Sequence, residues 1–193
     1  MPINSLAVPL GSRMPWFEVV DLEGSRVSTA TLEDGAPVAV VFLCNHSPYV
    51  RPLEHSIADT AREFSARGVQ FVGIASNDMR AYPSDNKTRL TEQRDRSGFQ
   101  FPYCLDESQQ AAKAFGANCT PEFFLYDEDW RLTYHGQYDG SRPGNGIPAT
   151  GTDFIAAIEA VLDGDVVPRD QFPSLGCSVK WRAGNEPSYV WIR

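Results

Sequence analysis

The stretch that decides the fold runs from Val38 to Arg51 and reads V-A-V-V-F-L-C-N-H-S-P-Y-V-R. Its first half is a continuous β-branched and aromatic run, and a short apolar run of this length predicts a buried central strand. Pro48 is favoured at the first position of a helix, and Ser47 just before it is a good N-cap. Side chains at such a junction face free N–H groups at the positive end of a helix. The junction is therefore where a thiolate or another anion would be stabilised.

The segments around this junction predict an α/β order of elements. Before it lie an extended lead-in at 1–15 and a β-hairpin at 16–27. After it comes an amphipathic helix whose apolar stripe consists of Leu53, Ile57, Ala61 and Phe64. Pro52 leaves two alternatives for the start of this helix, which either begins there or is kinked there. A second buried strand is predicted at 69–76, and the helix and the two strands form a parallel crossover unit.

The second half of the chain predicts helices, strands and loops in alternation. The predicted elements are a loop at 77–87, helices at 88–97 and 109–115, an extended piece at 101–106, and an antiparallel strand pair at 122–127 and 131–137. The last helix is predicted to begin at Thr152 or Asp153 and to end at Gly164. Residues 171–193 lack strong periodicity, so we expect them to wrap the surface.

Composition and charge argue against several classes of function. The 193 residues are expected to form one domain, with a core at about 36–164 and a tail at 165–193. A formal net charge of −8 without a Lys/Arg cluster argues against nucleic acid and against an anionic membrane as partners. The opening M-P-I-N-S-L-A-V-P-L lacks the features of a secretory signal, and no apolar run reaches membrane-spanning length. A cytoplasmic location is expected.

The four cysteines are widely spaced, and they are Cys44, Cys104, Cys119 and Cys177. None forms a C-x-x-C pair, and four cysteines in a chain of this length do not indicate a disulfide framework. A metal site on Cys44 and His46 is not predicted, because two ligands do not make a site. The alternative to a chemical role is that these cysteines are small buried hydrophobic residues, and for Cys104 the two alternatives weigh equally.

The junction resembles the thioredoxin-like superfamily, in the peroxiredoxin-like branch of alkyl hydroperoxide reductase/thiol-specific antioxidant proteins, or redoxins. More narrowly, it is similar to a bacterial group with the signature C-N-H-C-P-Y-V, where this chain has C-N-H-S-P-Y-V. In that group the second Cys lies at the helix N-terminus and is the nucleophile, and the matching residue here is Ser47. The resemblance implies an α/β thioredoxin fold with an N-terminal β-hairpin extension and an irregular C-terminal tail.

A second stretch, C-T-P-E-F-F-L at 119–125, resembles the segment in which thioredoxin-like proteins carry a cis-proline before a strand. The resemblance implies that Pro121 is cis and packs near Ser47, and that Thr120 presents its backbone to a substrate. His46 and Pro48 join them as candidate substrate-binding residues. A trans proline at the start of an edge strand is the alternative.

Two further stretches extend the resemblance over nearly the whole chain. The segment 136–145 is similar to one that ends near the active helix, and it makes Arg142 a candidate cation for steadying a thiolate or pairing with an anionic ligand. The alternative for Arg142 is a solvated loop residue. The segment 173–181, P-S-L-G-C-S-V-K-W, is similar to a family tail of the form P-S-x-G-C-x-I-K-W. It implies that Cys177 is a resolving thiol.

Ser47 is the departure from the family pattern. An alcohol is a poor nucleophile without an aligned base and cannot form a disulfide. A serine hydrolase is not predicted either, because adjacent His46 does not point with Ser47 and no G-x-S-x-G context is present. Two explanations stay open. Ser47 is an introduced Cys→Ser change, or the thiol was lost naturally and the protein uses Cys44 or carries out no thiol chemistry.

The resemblance implies a thiol-dependent oxidoreductase that reduces a peroxide or a disulfide. A thiolate would attack the substrate, a second thiol would resolve the sulfenic acid or mixed disulfide, and a thioredoxin-type dithiol would supply electrons. No cofactor is implied. The competing hypothesis is a non-catalytic thioredoxin-fold protein that binds a partner or small ligand in the same groove, and a third is non-redox chemistry on this scaffold.

Overall fold

The computed structural model describes residues 2–191 of the chain. The strands are β1 (Pro2–Asn4), β2 (Glu18–Asp21), β3 (Arg26–Ser28), β4 (Val38–Phe42), β5 (Gln70–Ala75), β6 (Tyr103–Leu105), β7 (Cys119–Thr120), β8 (Glu122–Tyr126), β9 (Leu132–Gly136) and β10 (Leu175–Ser178). The α-helices are α1 (Glu54–Ser65), α2 (Lys87–Ser97), α3 (Gln110–Phe115) and α4 (Thr152–Asp163). No helix among these residues is long and apolar enough to cross a membrane.

The main sheet has seven strands in the order β3-β2-β6-β5-β4-β8-β9. β4 lies inside the sheet, parallel to β5 and antiparallel to β8, so that Val40 pairs with Val72 on one side and with Phe124 on the other. β2 and β3 form the predicted hairpin and extend the sheet next to β6. This is the predicted α/β thioredoxin fold with its N-terminal hairpin.

The two faces of β4 explain why its sequence is apolar throughout. Residues 38, 40 and 42 pack into a core cluster that includes α3, while residues 39, 41 and 43 pack into another that includes α1 and α4. Each of these side chains is at most 1 % exposed. A strand buried on both faces reads as a continuous hydrophobic run rather than an alternating one. β4 therefore ends deep inside the molecule and holds the residues that follow it in place.

The start of α1 settles the alternatives that Pro52 left open. A turn at 48–50 and a 3-10 turn at Arg51–Leu53 precede the α-helix, which begins at Glu54. The backbone N–H groups of Val50 and Arg51 both donate to the carbonyl of Ser47, each at 3.1 Å. Pro52 lies inside the 3-10 turn, where its missing N–H costs no helical hydrogen bond. The α-helix therefore begins at Glu54 and not at Pro48, and Ser47 precedes the turns that lead into it.

The tail differs from the expectation in one respect. It is irregular except for β10 and a 3-10 turn at 188–191, and β10 is the centre of a second sheet with the order β1-β10-β7. Cys177 pairs with Pro2 on one side and with Thr120 on the other. β10 is four residues long and includes a glycine, so it carries no periodic signal. Its pairing partners lie at distant positions in the chain, which a local pattern cannot reveal.

Candidate functional site

Cys44 lies two residues beyond the end of β4, at the carboxyl edge of the main sheet. Its Sγ lies 3.0 Å from the hydroxyl oxygen of Thr120, and its carbonyl accepts a hydrogen bond from Gln93 Nε2 at 3.1 Å. The side chain has no exposed surface. The residue is therefore held by one polar contact to its sulfur and one to its backbone, and not only by apolar packing.

Asp85 joins the junction from the loop after β5, where it ends the 3-10 turn Pro83–Asp85. One carboxylate oxygen accepts the backbone N–H groups of Asn45 at 2.8 Å and His46 at 3.2 Å. The other lies 2.6 Å from Nδ1 of His46 and accepts from Asn77 Nδ2 at 2.8 Å. Burial alone would raise the pKa of Asp85, but the hydrogen bonds from His46 and Asn77 outweigh it and the pKa lies below its usual value. Asp85 is thus a buried carboxylate.

His46 lies between this carboxylate and Cys44. The hydrogen bond to Asp85 raises the pKa of His46 to about 10, and hydrogen bonding to Cys44 contributes in the same direction. The imidazole is therefore protonated at neutral pH and places a positive charge beside the sulfur. A neighbouring cation favours the thiolate form of a cysteine. Tyr82 stacks on the His46 ring at a centroid distance of 6.0 Å.

Ser47 lies between the end of β4 and the turns that precede α1. Its Oγ accepts the N–H of Tyr49 at 3.1 Å and donates to the carbonyl of Thr120 at 3.3 Å. The first contact is that of an N-cap, and the second joins the start of the helical path to the segment before Pro121. The Thr120–Pro121 peptide bond is cis, as the resemblance implied. Ser47 and Cys44 therefore meet the same residue, one through the Thr120 backbone and the other through its hydroxyl.

The backbone of Thr120 is not open to a substrate in this structure. β10 covers it, with Cys177 as the register partner of Thr120. Gly176 packs so closely that a Cβ placed there would lie 2.1 Å from the Thr120 carbonyl oxygen. Residues directly opposite in an antiparallel pair share a face, with Cβ atoms about 4.5–5.5 Å apart. The Cys177 side chain therefore lies on the same side of the small sheet as the Thr120 hydroxyl that contacts Cys44.

A comparison with protein families matches residues 10–135 to the AhpC/TSA family. The chain belongs to the AhpC/TSA family. The match includes the junction, Asp85 and the cis-proline, while Arg142 and Cys177 lie beyond it.

Two solved structures resemble this AhpC/TSA chain over nearly its whole length. An uncharacterized conserved protein from Geobacillus kaustophilus is 40 % identical, with a TM-score of 0.91, over 94 % of this chain and 97 % of that chain. A hypothetical protein from Sinorhizobium meliloti 1021 is 42 % identical, also with a TM-score of 0.91, over 94 % of this chain and 99 % of that chain. A comparison with curated proteins gave no match.

More distant structures share the thioredoxin-like fold. A thiol:disulfide interchange protein of the thioredoxin family from Chlorobium tepidum TLS is 20 % identical, with a TM-score of 0.61, over 81 % of this chain and 99 % of that chain. Together with the family match, this supports a thioredoxin-like redoxin assignment for the chain. The peroxiredoxin-like branch named from the sequence is confirmed at the level of the family.

The structure does not bring every candidate residue of this AhpC/TSA chain to the junction. Among the described residues, the Arg142 guanidinium donates to its own loop, to the carbonyls of Asp139 and Ser141 and to the side chain of Gln137. The cations that do bond to the junction are Arg51, which donates to the Asn45 carbonyl at 3.1 Å, and Arg96, which donates to the Asn45 side chain at 2.7 Å. The role of Arg142 stays a prediction.

The remaining cysteines are buried away from these contacts. Burial raises the pKa of Cys104 to about 12. Burial also raises the pKa of Cys119, and the neighbouring Glu122 carboxylate adds to the effect. The sulfur of Cys119 contacts the carbonyls of Pro121 at 3.8 Å and Ser174 at 3.9 Å. All four cysteines are free in this structure.

Sequence reasoning missed Asp85. The residue stands 39 positions from His46 in an irregular loop, where an aspartate is an ordinary turn residue. One signal could have found it. β4 and β5 are adjacent and parallel, so the loops after their carboxyl ends meet at one edge of the sheet, which is where α/β proteins place their sites. A carboxylate in the loop after β5 was therefore a candidate partner for the residues after β4.

Proposed function

We propose that this protein is a thiol-dependent oxidoreductase in which Cys44 is the nucleophile, while Ser47 fills the position of the nucleophilic cysteine of its relatives. The observation that carries the proposal is that the Cys44 sulfur, a His46 ring nitrogen and a carboxylate oxygen of buried Asp85 lie within 4.8 Å of one another, with His46 bonded to Asp85. A cation beside a cysteine favours its thiolate, and the thiolate is the nucleophile. Redoxin-family membership supports the class of reaction.

A small peroxide fits this site better than a protein disulfide does. Cys44 has no exposed surface, and β10 pairs with the backbone of Thr120 where an extended peptide would otherwise pair. A hydroperoxide needs only local movement of the half-buried His46 and the exposed Tyr82 to reach the sulfur. A folded protein would have to displace the whole strand. The proposed oxidant is therefore a hydroperoxide.

The reaction follows from the groups in place. The Cys44 thiolate attacks one peroxide oxygen, the O–O bond breaks, and the His46 imidazolium gives its proton to the departing alkoxide or hydroxide. Cys44 becomes a sulfenic acid. The thiol of Cys177 then attacks the sulfenic sulfur, water leaves, and a Cys44–Cys177 disulfide forms. An external thioredoxin-type dithiol reduces this disulfide and is itself oxidised to a disulfide.

The proposed reductant agrees with the state of the cysteines. Four free cysteines suit a reducing compartment, since disulfides persist mainly in oxidising ones. A cytoplasmic location therefore belongs to the proposal, because dithiol reductants maintain that compartment. Thr120, Pro121 and Pro48 shape the site in this scheme, and Cys177 is the resolving thiol.

Trapping of the sulfenic acid tests the proposal. The reduced protein is treated with one equivalent of hydrogen peroxide and with dimedone, and the adduct is located by mass spectrometry. The expected site is Cys44, and Cys44→Ser should abolish both the adduct and peroxide consumption with a dithiol reductant. Cys104→Ala is the matched control, since Cys104 is a buried thiol outside the site. Oxidation of the other cysteines with Cys44 untouched would refute the proposal.

A second candidate function is a non-catalytic protein that binds a ligand at the same place. The observation favouring it is that Cys44 and Ser47 are both 0 % exposed. In that case peroxide and small alkylating reagents would modify Cys44 no faster than they modify Cys104. The same mass-spectrometric experiment separates the two functions.

A further inference from the structure

Three different ligand types converge at the junction. The Sγ of Cys44, a ring nitrogen of His46 and a carboxylate oxygen of Asp85 all lie within 4.8 Å of one another. Thiolate, imidazole and carboxylate are the three side-chain groups that bind zinc in proteins. The sequence supplied only the first two, and on that basis no metal site was predicted. The loop after β5 supplies the third.

The carboxylate is oriented by neighbouring groups, and a metal ion would replace the proton that His46 Nδ1 now shares with it. Its Oδ1 is held by the backbone N–H groups of Asn45 and His46, and Asn77 donates to Oδ2. Hydrogen bonds of this kind, outside the ligand set itself, fix ligands in known metal sites. Oδ2 faces the His46 ring. The residue before His46 is also fixed, since Asn45 bonds to Arg96 and to the Ser84 carbonyl.

We infer that Cys44, His46 and Asp85 form a binding site for a thiophilic divalent ion of the zinc type. Three protein ligands leave one tetrahedral position for water or a small ligand. The mixed sulfur, nitrogen and oxygen set disfavours magnesium and calcium, which are bound by oxygen ligands. The His46 side chain, 23 % exposed, lies on the solvent side and gives the ion its path of entry.

A metal ion at this position regulates the thiol. Coordination engages the sulfur lone pair that would attack a peroxide, so the metal-bound protein is protected from oxidation and alkylation at Cys44. This regulatory consequence rests on the proposed function. Binding of the metal does not rest on it and can be measured without any turnover.

Cobalt titration of the reduced full-length protein tests the binding. Co²⁺ is added in the presence of a phosphine reductant, and a thiolate-to-cobalt charge-transfer band is expected to saturate at one equivalent. Zn²⁺ should displace the cobalt and remove the band, and Mg²⁺ should have no effect. Cys44→Ala should abolish the band, and Asp85→Asn should weaken binding at least tenfold. The matched controls are Cys104→Ala, Asp78→Asn and His55→Gln, which should retain it.

A second measurement on the unaltered protein identifies the liganding thiol even if a variant fails to fold. Iodoacetamide labelling of Cys44, located by mass spectrometry, should slow at least tenfold with Zn²⁺ and recover after EDTA. Absence of the cobalt band, or its persistence in Cys44→Ala, would overturn the metal site. A band without sulfenic acid formation leaves the metal site in place and refutes the proposed function. Sulfenic acid formation without a band refutes the metal site and leaves the proposed function in place.

Discussion

Thr120 is the register partner of Cys177, and its hydroxyl lies 3.0 Å from the sulfur of Cys44. The residue before the cis-proline thus stands between two thiols, one at the end of β4 and one in the tail. A disulfide between these two thiols, both free in this structure, would have to form around this one residue.

Gly176 controls how closely β10 approaches this residue. A Cβ at Gly176 would lie 2.1 Å from the Thr120 carbonyl oxygen. This oxygen belongs to the backbone and cannot move aside as the end of a flexible side chain can. Gly176→Ala should therefore displace β10, destabilise the protein by about 1–3 kcal/mol, and speed iodoacetamide labelling of Cys44. Denaturant unfolding and timed labelling measure the two effects. Gly140→Ala is the control, since its Cβ would meet only Ile147 at 3.9 Å. Equal labelling rates in both variants would contradict the proposed cover.

Removing the charge of Asp85 tests how His46 acts on the thiol. Asp85→Asn keeps an acceptor for the backbone N–H groups of Asn45 and His46 but removes the carboxylate that raises the pKa of His46. The His46 pKa should fall towards 6.5, and peroxide oxidation of Cys44 at pH 7.5 should slow at least tenfold. NMR titration of the imidazole and stopped-flow oxidation provide the two readouts. Asp78→Asn, in the same loop, should change neither.

A cysteine at position 47 should create a reactive thiol. Ser47→Cys places sulfur where the Tyr49 N–H now donates to Oγ, and a hydrogen bond to the charged form of a thiol favours that form. We expect faster pH-dependent alkylation at residue 47 than at Cys104, together with thiol-dependent peroxide or disulfide reduction. An unreactive thiol without turnover would support the non-catalytic alternative.

The same variant also tests the tail cysteine. After peroxide treatment of Ser47→Cys, disulfide mapping should show a link from Cys177 to residue 47 or to Cys44. The register of β10 places Cys177 opposite Thr120, which bonds to both candidate partners. If residue 47 is oxidised without any link to Cys177, then Cys177 is a structural residue and another thiol resolves the sulfenic acid.

The lowered pKa of Asp139 predicts how the stability of the folded protein depends on pH. Burial alone would raise its pKa, but hydrogen bonds from the Ser141 hydroxyl and from the backbone N–H groups of Gly151, Ser141 and Thr150 outweigh it, so the pKa is lowered. A lowered pKa contributes stability above the unfolded value of 3.8, and this stability is lost as pH falls through the folded value. Asp139→Asn should therefore reduce the loss of Tm between pH 5 and strongly acidic pH, whereas the exposed Asp34→Asn should not. Parallel acid profiles for Asp139→Asn and the parent would contradict this role.

The sequence predicts the main sheet well because its signals are local. Val38 to Phe42 form a continuous apolar run, and the Leu53 to Phe64 stripe follows helical spacing, so both elements can be recognised without knowledge of their partners. The cis-proline could be predicted only through the family resemblance, because cis X-Pro bonds are uncommon.

The parts that sequence did not predict depend on distant partners. β1 and β10 are three and four residues long and are defined by pairing with each other and with β7. Asp85 acquires its role from two parallel strands that end side by side, which brings it to His46 across 39 positions. For Arg142 the family resemblance suggested a role as a cation at the site. Its observed hydrogen bonds, to the carbonyls of its own loop, do not test that role.

The central place of β10 in the small sheet has a consequence for synthesis of the protein. β4, Thr120 and the cis-proline have all left the ribosome well before residues 175–178, and β10 can pair with β7 only after those residues emerge. Pairing between distant segments forms slowly, because a long loop must close first. The growing chain therefore carries Cys44 without its strand cover for part of its synthesis. During that interval the Thr120 backbone, which accepts the Ser47 hydroxyl, lacks its partner strand.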